Sequence, residues 1–138
     1  MRFPEAEIGE VVPGGGLETV LVVEDDEQVR RLVCRLLAEA GYTVLEAVAG
    51  MEALGVAQRH DGPIDLLLSD VVMPEMGAEK LVGELLPLRP GLRVVLMSGY
   101  VEETIADPRF AYEDTVFLQK PFSAGALLAI VRESLRER

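Results

Sequence analysis

The sequence lacks the features that mark secreted, membrane-spanning or nucleic-acid-binding proteins. Cys34 is the only cysteine among 138 residues, which excludes an internal disulfide. No apolar run approaches the length of a membrane span, and residues 1–5 do not open an apolar signal segment. The 13 basic residues are outnumbered by 24 acidic ones, which argues against a surface that neutralises nucleic-acid phosphates. We expect a cytoplasmic domain that contacts neither nucleic acid nor a membrane.

The sequence has instead apolar runs that are followed directly by acids. Three acids at 24–26 follow the apolar run at 20–23, and Asp70 comes just after the run at 64–68. If the two runs are neighbouring parallel strands, these acids meet at one edge of the sheet. Such a cluster repels itself unless a proton or a cation lies within it. Because oxygen ligands suit hard divalent ions, the pattern predicts a Mg²⁺ site.

Strand and helix patterns alternate along most of the chain. Apolar residues at helical spacing separate short apolar runs that are rich in Val and Leu. Such runs are typical of parallel strands covered on both faces. The alternation predicts an α/β domain with a doubly wound, five-stranded parallel sheet and helices on both faces. The predicted strands lie at 20–23, 43–46, 64–68, 92–97 and 115–118.

Individual residues mark the predicted boundaries. Gly41 is placed to end the first helix, and Ser123 to cap the start of the last one. Pro108 ends the short fourth helix, because proline has no amide hydrogen and restricts the residue before it. The Pro-Gly-Gly-Gly stretch predicts a flexible linker or tail at 1–16, followed by one domain at 17–138.

Four short blocks carry a resemblance to a known family. They read LVVEDDE at 21–27, LSDVVMP at 68–74, MSGY at 97–100 and QKPF at 119–122. Each block belongs to the end of a predicted strand, in the order first, third, fourth and fifth. Together they resemble the signature blocks of two-component response-regulator receiver domains, over roughly residues 18 to 137. The resemblance implies a flavodoxin-like sheet with strand order 2-1-3-4-5.

The resemblance also implies a role for each residue of the site. Asp70 is expected to be the phosphoacceptor, with Lys120 and Ser98 assisting at the phosphoryl group. We interpret Asp26 as a helix cap rather than a ligand. The expected Mg²⁺ site uses the carboxylates of Asp25 and Asp70 and the backbone carbonyl of Val72. Asp25 is expected to bind directly, and Glu24 mainly through water.

The remaining implied roles concern conformational change and partners. Ser98 and Phe117 are the expected switch residues, Phe117 standing where many receivers have Tyr, and the bond before Pro121 is expected to be cis. The expected donor is a histidine kinase or a histidine phosphotransfer protein, and weak homodimerisation is left open. Three residues of the first helix are expected to contact that donor: Val29, Arg30 and Val33.

Two other functional classes fit the sequence less well than a phosphoacceptor. A magnesium-dependent aspartyl phosphohydrolase needs an acid two residues beyond Asp70, where Val72 stands. A flavin-binding electron carrier needs a phosphate-binding loop after the first strand, where the acids at 24–26 would repel phosphate. A pseudo-receiver that only binds a partner is left open. We favour the receiver of a hybrid sensor histidine kinase without an output domain in this chain, with a natural single-domain regulator as the alternative.

Overall fold

The computed structural model of the protein describes residues 18–110 and 115–136. Within these ranges strands and helices alternate, as the sequence predicts. The elements are β1 Thr19–Val23, α1 Glu27–Glu39, β2 Thr43–Ala47, α2 Gly50–Arg59, β3 Leu66–Asp70, α3 Ala78–Leu88, β4 Arg93–Ser98, α4 Val101–Ala106, a 3-10 helix Pro108–Phe110, β5 Thr115–Gln119 and α5 Ala124–Arg136. The predicted linker at 1–16 lies outside the described residues.

All five strands form one parallel sheet in the order β2-β1-β3-β4-β5, which confirms the predicted topology. The register places Val23 beside Ser69, and Ser98 beside Gln119. The carboxyl ends of β1, β3, β4 and β5 therefore lie along one edge of the sheet. The strand order reverses between β1 and β3, and a ligand site is expected at such a reversal.

The hydrophobic core consists of two layers, one on each face of the sheet. Leu67 belongs to the layer beneath α2 and α3, whereas Leu66 and Leu68 belong to the layer beneath α1 and α5. All three leucines are fully buried, as expected for a central strand covered on both faces. In the part of the chain that the structure describes, no helix is both long and apolar enough to span a bilayer.

The predicted helix boundaries agree with the structure. The carboxylate of Asp26 accepts a hydrogen bond of 3.1 Å from the amide of Val29 and caps α1. Gly41 follows the end of α1 with a φ of 103°, in the left-handed region that favours glycine. The hydroxyl of Ser123 accepts from the amide of Ala126 at the start of α5.

Four strands end later than predicted: β3 by two residues, and β2, β4 and β5 by one residue each. The prediction for β3 was 64–68, and the one for β4 was 92–97, whereas the observed strands end at Asp70 and Ser98. Asp70 stays in the ladder because it pairs with Met97 on β4. The two polar residues are therefore the last residues of their strands, and their backbones are held by the sheet.

Candidate functional site

Three acids from two strand ends form a cluster at the carboxyl edge of the sheet. One oxygen each of Glu24, Asp25 and Asp70 lies within 4.8 Å of the others. Glu24 is only 1% exposed, whereas Asp25 is exposed and Asp70 is half-buried. The structure thus brings together the three carboxylates that the sequence assigns to a metal site.

Lys120 places its ammonium group between two of these acids. Its Nζ lies 2.9 Å from Oε1 of Glu24 and 3.3 Å from Oδ1 of Asp70. Lys120 follows β5 directly, and its amide donates to the carbonyl of Ser98 at the end of β4. The peptide bond between Lys120 and Pro121 is cis. The ends of β3 and β5, which flank β4, thereby bring the cation beside the proposed phosphoacceptor.

Glu24 is fixed by bonds to both its backbone and its side chain. Its Oε2 accepts from the amide of Asp26, and its own amide donates to the carbonyl of Ala47. Arg30 donates through Nη1 to the carbonyl of Glu24 at 2.9 Å and through Nε to the carboxylate of Glu46 at 3.1 Å. Arg30 therefore supports the loop of acids at 24–26, called here the acidic loop. The sequence did not indicate this role.

Asp70 is held at its backbone and at one carboxylate oxygen. Oδ1 accepts from the amide of Val71 at 3.0 Å as well as from Lys120. The amide of Val71 also lies 3.1 Å from the carbonyl of Met97. Val72, whose carbonyl is a predicted metal ligand, is 79% exposed in the loop that follows. The carboxylate of Asp70 thus has a defined orientation beside an accessible loop.

Burial changes the acidity of the site. Desolvation raises the pKa of Asp70 above its usual value, and the pairing with Lys120 opposes this only in part. Desolvation likewise raises the pKa of Glu24 despite its bond to Lys120. Burial alone would lower the pKa of Lys120, but its bond to Glu24 and the charge of Asp70 outweigh burial and raise it. Lys120 therefore stays charged, whereas its charge offsets only part of the cost of burying the carboxylates of Glu24 and Asp70.

The donor set fits a magnesium ion. Three carboxylates face one ammonium group, and the excess of negative charge is of the kind that a divalent cation balances. All candidate ligand atoms are oxygens, which Mg²⁺ prefers. The raised pKa values of Glu24 and Asp70 are consistent with such a site, because a buried carboxylate is stabilised by binding either a proton or a cation.

Ser98 lies at the same edge, but its hydroxyl is bonded to α4. Its Oγ accepts from the amide of Tyr100 at 2.9 Å and lies 3.1 Å from Oγ1 of Thr104. The Thr104 hydroxyl in turn donates to the carbonyl of Tyr100 at 2.8 Å. Ser98 is 6% exposed and Thr104 is 8% exposed. Sequence reasoning missed Thr104, because no local pattern indicates that a threonine contacts a serine six residues earlier.

Phe117 and Gln119 lie on β5 beside this loop. Phe117 is half-buried and packs against the core layer beneath α2 and α3. The side-chain amide of Gln119 donates to the carbonyls of Gly99 at 3.1 Å and Lys120 at 2.7 Å. Gln119 thereby bridges the loops that follow β4 and β5. Its role was also missed, because both acceptors are backbone carbonyls.

The predicted partner surface on α1 needs one correction. Val33 is 0% exposed and belongs to the core layer beneath α1 and α5, so its side chain cannot contact a partner while the domain is folded. Val29 is half-buried against the same layer. The Arg30 side chain is only 13% exposed because it supports the acidic loop. The large apolar side chain that α1 does expose is Leu32, at 46%.

Comparison with known sequences identifies the family. The model of the family described as response regulator receiver domain matches residues 20–132. Sensor kinase CckA from Brucella abortus is 42% identical over 123 residues, which are 89% of this chain and 13% of the kinase. The response regulator receiver protein CpdR from the same organism is 30% identical, over 86% of this chain and 98% of that protein. The chain thus spans a small part of the first relative and nearly all of the second.

Solved structures give the same result. The receiver domain of the hybrid histidine kinase CckA superposes with a TM-score of 0.74 at 36% identity, covering 85% of this chain and 98% of that one. The chemotaxis response regulator CheY4 of Vibrio cholerae superposes with a TM-score of 0.73 at 28% identity, covering 86% and 98%. With a matching family model, a shared fold and clustered acids beside a lysine, the chain belongs to the family of response regulator receiver domains.

Proposed function

We propose that the domain is a phosphoacceptor in a two-component phosphorelay and that Asp70 receives the phosphoryl group. One observation carries the proposal: Oδ1 of Asp70 lies 3.3 Å from Nζ of Lys120, with carboxylate oxygens of Glu24 and Asp25 within 4.8 Å. A helix-capping or turn acid would need neither a half-buried cation beside it nor a cluster of this kind. The donor is the phosphohistidine of a histidine kinase or of a phosphotransfer protein.

The proposed transfer forms one bond and breaks one. A carboxylate oxygen of Asp70 attacks phosphorus, so a P–O bond forms and an acyl phosphate results. The P–N bond to the donor breaks, and its electron pair stays on the nitrogen of the departing imidazole. Lys120 lies where the phosphoryl oxygens arrive and offsets their charge. The bond from Lys120 to Glu24 keeps the ammonium in place beforehand.

The acids would hold the metal that this reaction requires. We assign Mg²⁺ to Glu24, Asp25, Asp70 and the carbonyl of Val72. When bound, the ion supplies charge neutralisation at the phosphoryl oxygens. The chain's own contribution is to hold the ligands in place, and Arg30 does this for the loop of Glu24 by bonding its carbonyl at 2.9 Å.

Intact-mass measurement tests the phosphoacceptor directly. The domain is incubated with Mg²⁺ and acetyl phosphate, and the expected product carries one added phosphoryl group. Asp70→Asn should abolish the adduct, whereas Asp61→Asn, a change at an exposed acid far from the cluster, should leave it. A folded wild-type domain that gives no adduct with acetyl phosphate or with any phosphohistidine donor would instead be a pseudo-receiver.

We propose further that the donor docks on the exposed face of α1, with Leu32 taking the place that sequence analysis gave to Val33. Leu32 is 46% exposed, whereas Val33 is buried. Leu32→Asp should slow transfer from a phosphohistidine protein but leave labelling by acetyl phosphate unchanged, because a small donor needs no docking surface. Equal transfer rates for Leu32→Asp and the wild type would place docking elsewhere.

We also propose that the domain works in the cytoplasm, linked to a sensor kinase. Its 42% identity to a sensor kinase supports this origin, as does the 36% identity to the receiver domain of a hybrid kinase. The single cysteine suits a reducing compartment. Transfer from the kinase of the same organism should be faster than transfer from unrelated kinases, and a lack of preference would favour a stand-alone regulator.

A further inference from the structure

The hydrogen bonds around Ser98 assign the position of its proton. The Thr104 hydroxyl has a single proton, and it donates this proton to the carbonyl of Tyr100 at 2.8 Å because a carbonyl can only accept. In the contact of 3.1 Å between Ser98 and Thr104, the donor must therefore be Ser98. The Ser98 hydroxyl has no second proton to offer to a phosphoryl group on Asp70.

We propose that Thr104 is a positioning residue that holds the Ser98 hydroxyl on α4 and must release it before Ser98 can bond a phosphoryl group. The proposal rests on the proposed phosphorylation of Asp70. It adds an opposing contact that phosphorylation has to break. Once Ser98 turns toward Asp70, Thr104 loses its donor, and the amide of Tyr100 loses the acceptor that it has at 2.9 Å.

The packing of α4 makes this contact effective. Thr104 is the only buried residue within the six residues of α4, whereas the neighbouring Ile105 is 60% exposed. A helix with so little buried surface depends on its few polar contacts for its position. The bond between Ser98 and Thr104 is therefore a principal tie between α4 and the end of β4.

Open space beside Thr104 gives α4 room to shift. A groove of about 410 Å³ separates the loop after β3 from α4 and the 3-10 helix. Val72 lines one side of the groove, and Glu103 and Thr104 line the other. On this side α4 thus faces open space in the direction of the loop that carries Val72. When Ser98 releases Thr104, α4 would lose this tie to β4 and could move into the groove.

Beryllofluoride with Mg²⁺ serves as the probe, because it occupies the place of a phosphoryl group on an aspartate. Thr104→Val keeps the side-chain shape but removes the hydroxyl, and should bind the probe roughly three- to tenfold more tightly, since one neutral hydrogen bond no longer opposes binding. Thr104→Ser keeps the hydroxyl and should bind as the wild type does. The phosphorylated fraction at a fixed acetyl phosphate concentration should change in the same direction.

A double variant separates this positioning role from a general effect on the fold. In a Ser98→Ala background no hydroxyl remains to be released, so Thr104→Val should no longer change the affinity for beryllofluoride. Unchanged affinity in Thr104→Val alone, or the same gain in the Ser98→Ala background, overturns the role of Thr104 while Asp70 remains the phosphoacceptor. A folded wild type that takes up neither probe overturns the phosphoacceptor function and the role of Thr104 together.

Discussion

Nζ of Lys120 donates a hydrogen bond of 2.9 Å to Oε1 of Glu24, which lies 96 positions earlier in the chain and is 1% exposed. The bond connects the loop after β5 to the loop after β1, on the far side of β3 and β4. The same Nζ of Lys120 lies 3.3 Å from Oδ1 of Asp70. The lysine thus offsets part of the charge of two buried or half-buried acids as well as serving the proposed chemistry.

Loss of this lysine should reduce stability in a metal-dependent way. Lys120→Met leaves the Glu24 carboxylate buried without its cation. Removing one partner of a buried ion pair in this way should lower the free energy of unfolding by about 3 kcal/mol. Urea denaturation without metal measures the loss, which should shrink when Mg²⁺ is in excess. Lys80→Met is the matched control, because Lys80 is exposed. Equal losses in the two variants would contradict a structural role for the pair.

Magnesium affinity should distinguish two adjacent acids. Asp25→Asn removes a carboxylate of the cluster and should weaken binding at least tenfold, roughly 1.4 kcal/mol. Asp26→Asn keeps a side chain that can cap α1, where the Asp26 carboxylate accepts from Val29, and should change affinity little. Calorimetric titration with Mg²⁺ measures both. Equal weakening in the two variants would mean that overall charge, rather than position, controls binding.

Two glycines of α2 should respond oppositely to the same substitution. A Cβ added at Gly50 would lie 2.9 Å from the carbonyl oxygen of Met76, in the loop before α3, so Gly50→Ala should destabilise the fold by about 1–2 kcal/mol. A Cβ at Gly55 would meet only the end of the Arg59 side chain, at 3.0 Å, which can move aside. Gly55→Ala should therefore stabilise α2 by up to about 1 kcal/mol.

Thermal denaturation of both glycine variants provides the measurement. The two substitutions are chemically identical and lie in one helix, so helix propensity alone would raise the melting temperature of both. A fall for Gly50→Ala together with a rise for Gly55→Ala is the expected result. A rise for both would show that the loop at Met76 yields without cost.

Arg89 should contribute to stability through carbonyl groups at the end of α2. Its guanidinium donates to the carbonyls of Gly62 at 2.6 Å, His60 at 2.8 Å and Ala57 at 3.1 Å. Arg89→Met leaves these acceptors without their charged donor and should cost about 2 kcal/mol in urea denaturation. Arg31→Met is the control, because Arg31 is exposed and its pairing with Glu27 within α1 is worth about 0.5 kcal/mol at most. A loss no larger than that of Arg31→Met would refute the role.

Cys34 should react slowly with alkylating reagents. Burial raises the pKa of its thiol from 9.0 to about 11, and the charge of Glu46 adds to this. At pH 7 the thiolate is therefore about a hundredfold scarcer than for a free cysteine, and the reaction rate should keep rising with pH until about pH 11. Iodoacetamide labelling followed by mass spectrometry measures the rate. A rate that levels off near pH 9 would contradict the shift.

The sequence was sufficient for the sheet and for the acids at its edge. The apolar run at 20–23 and the acids at 24–26 are consecutive. The end of the buried strand therefore predicts where the carboxylates leave the sheet. The carboxyl ends of four strands were less accurate. In β3 and β4 the ladder continues through Asp70 and Ser98, which composition alone would not assign to strands.

The supporting bonds could not be predicted in the same way. Arg30, Arg89 and Gln119 all donate to backbone carbonyls, which every residue carries, so no residue type marks the acceptor in the sequence. The expected role of Val33 as a partner contact was wrong. Helical spacing places Val29 and Val33 on one face of α1, and the structure turns that face toward the core rather than toward a partner.

The order of the strands has a consequence for synthesis on the ribosome. Glu24 and Asp70 emerge well before Lys120, and β5 can only be added at the edge of the sheet beside β4. A nascent chain that has formed β1 to β4 therefore exposes a pair of acids whose lysine has not yet emerged from the ribosome. Until the last strand docks, such an intermediate has to keep its acids hydrated or neutralise them with ions or protons from the surrounding solution.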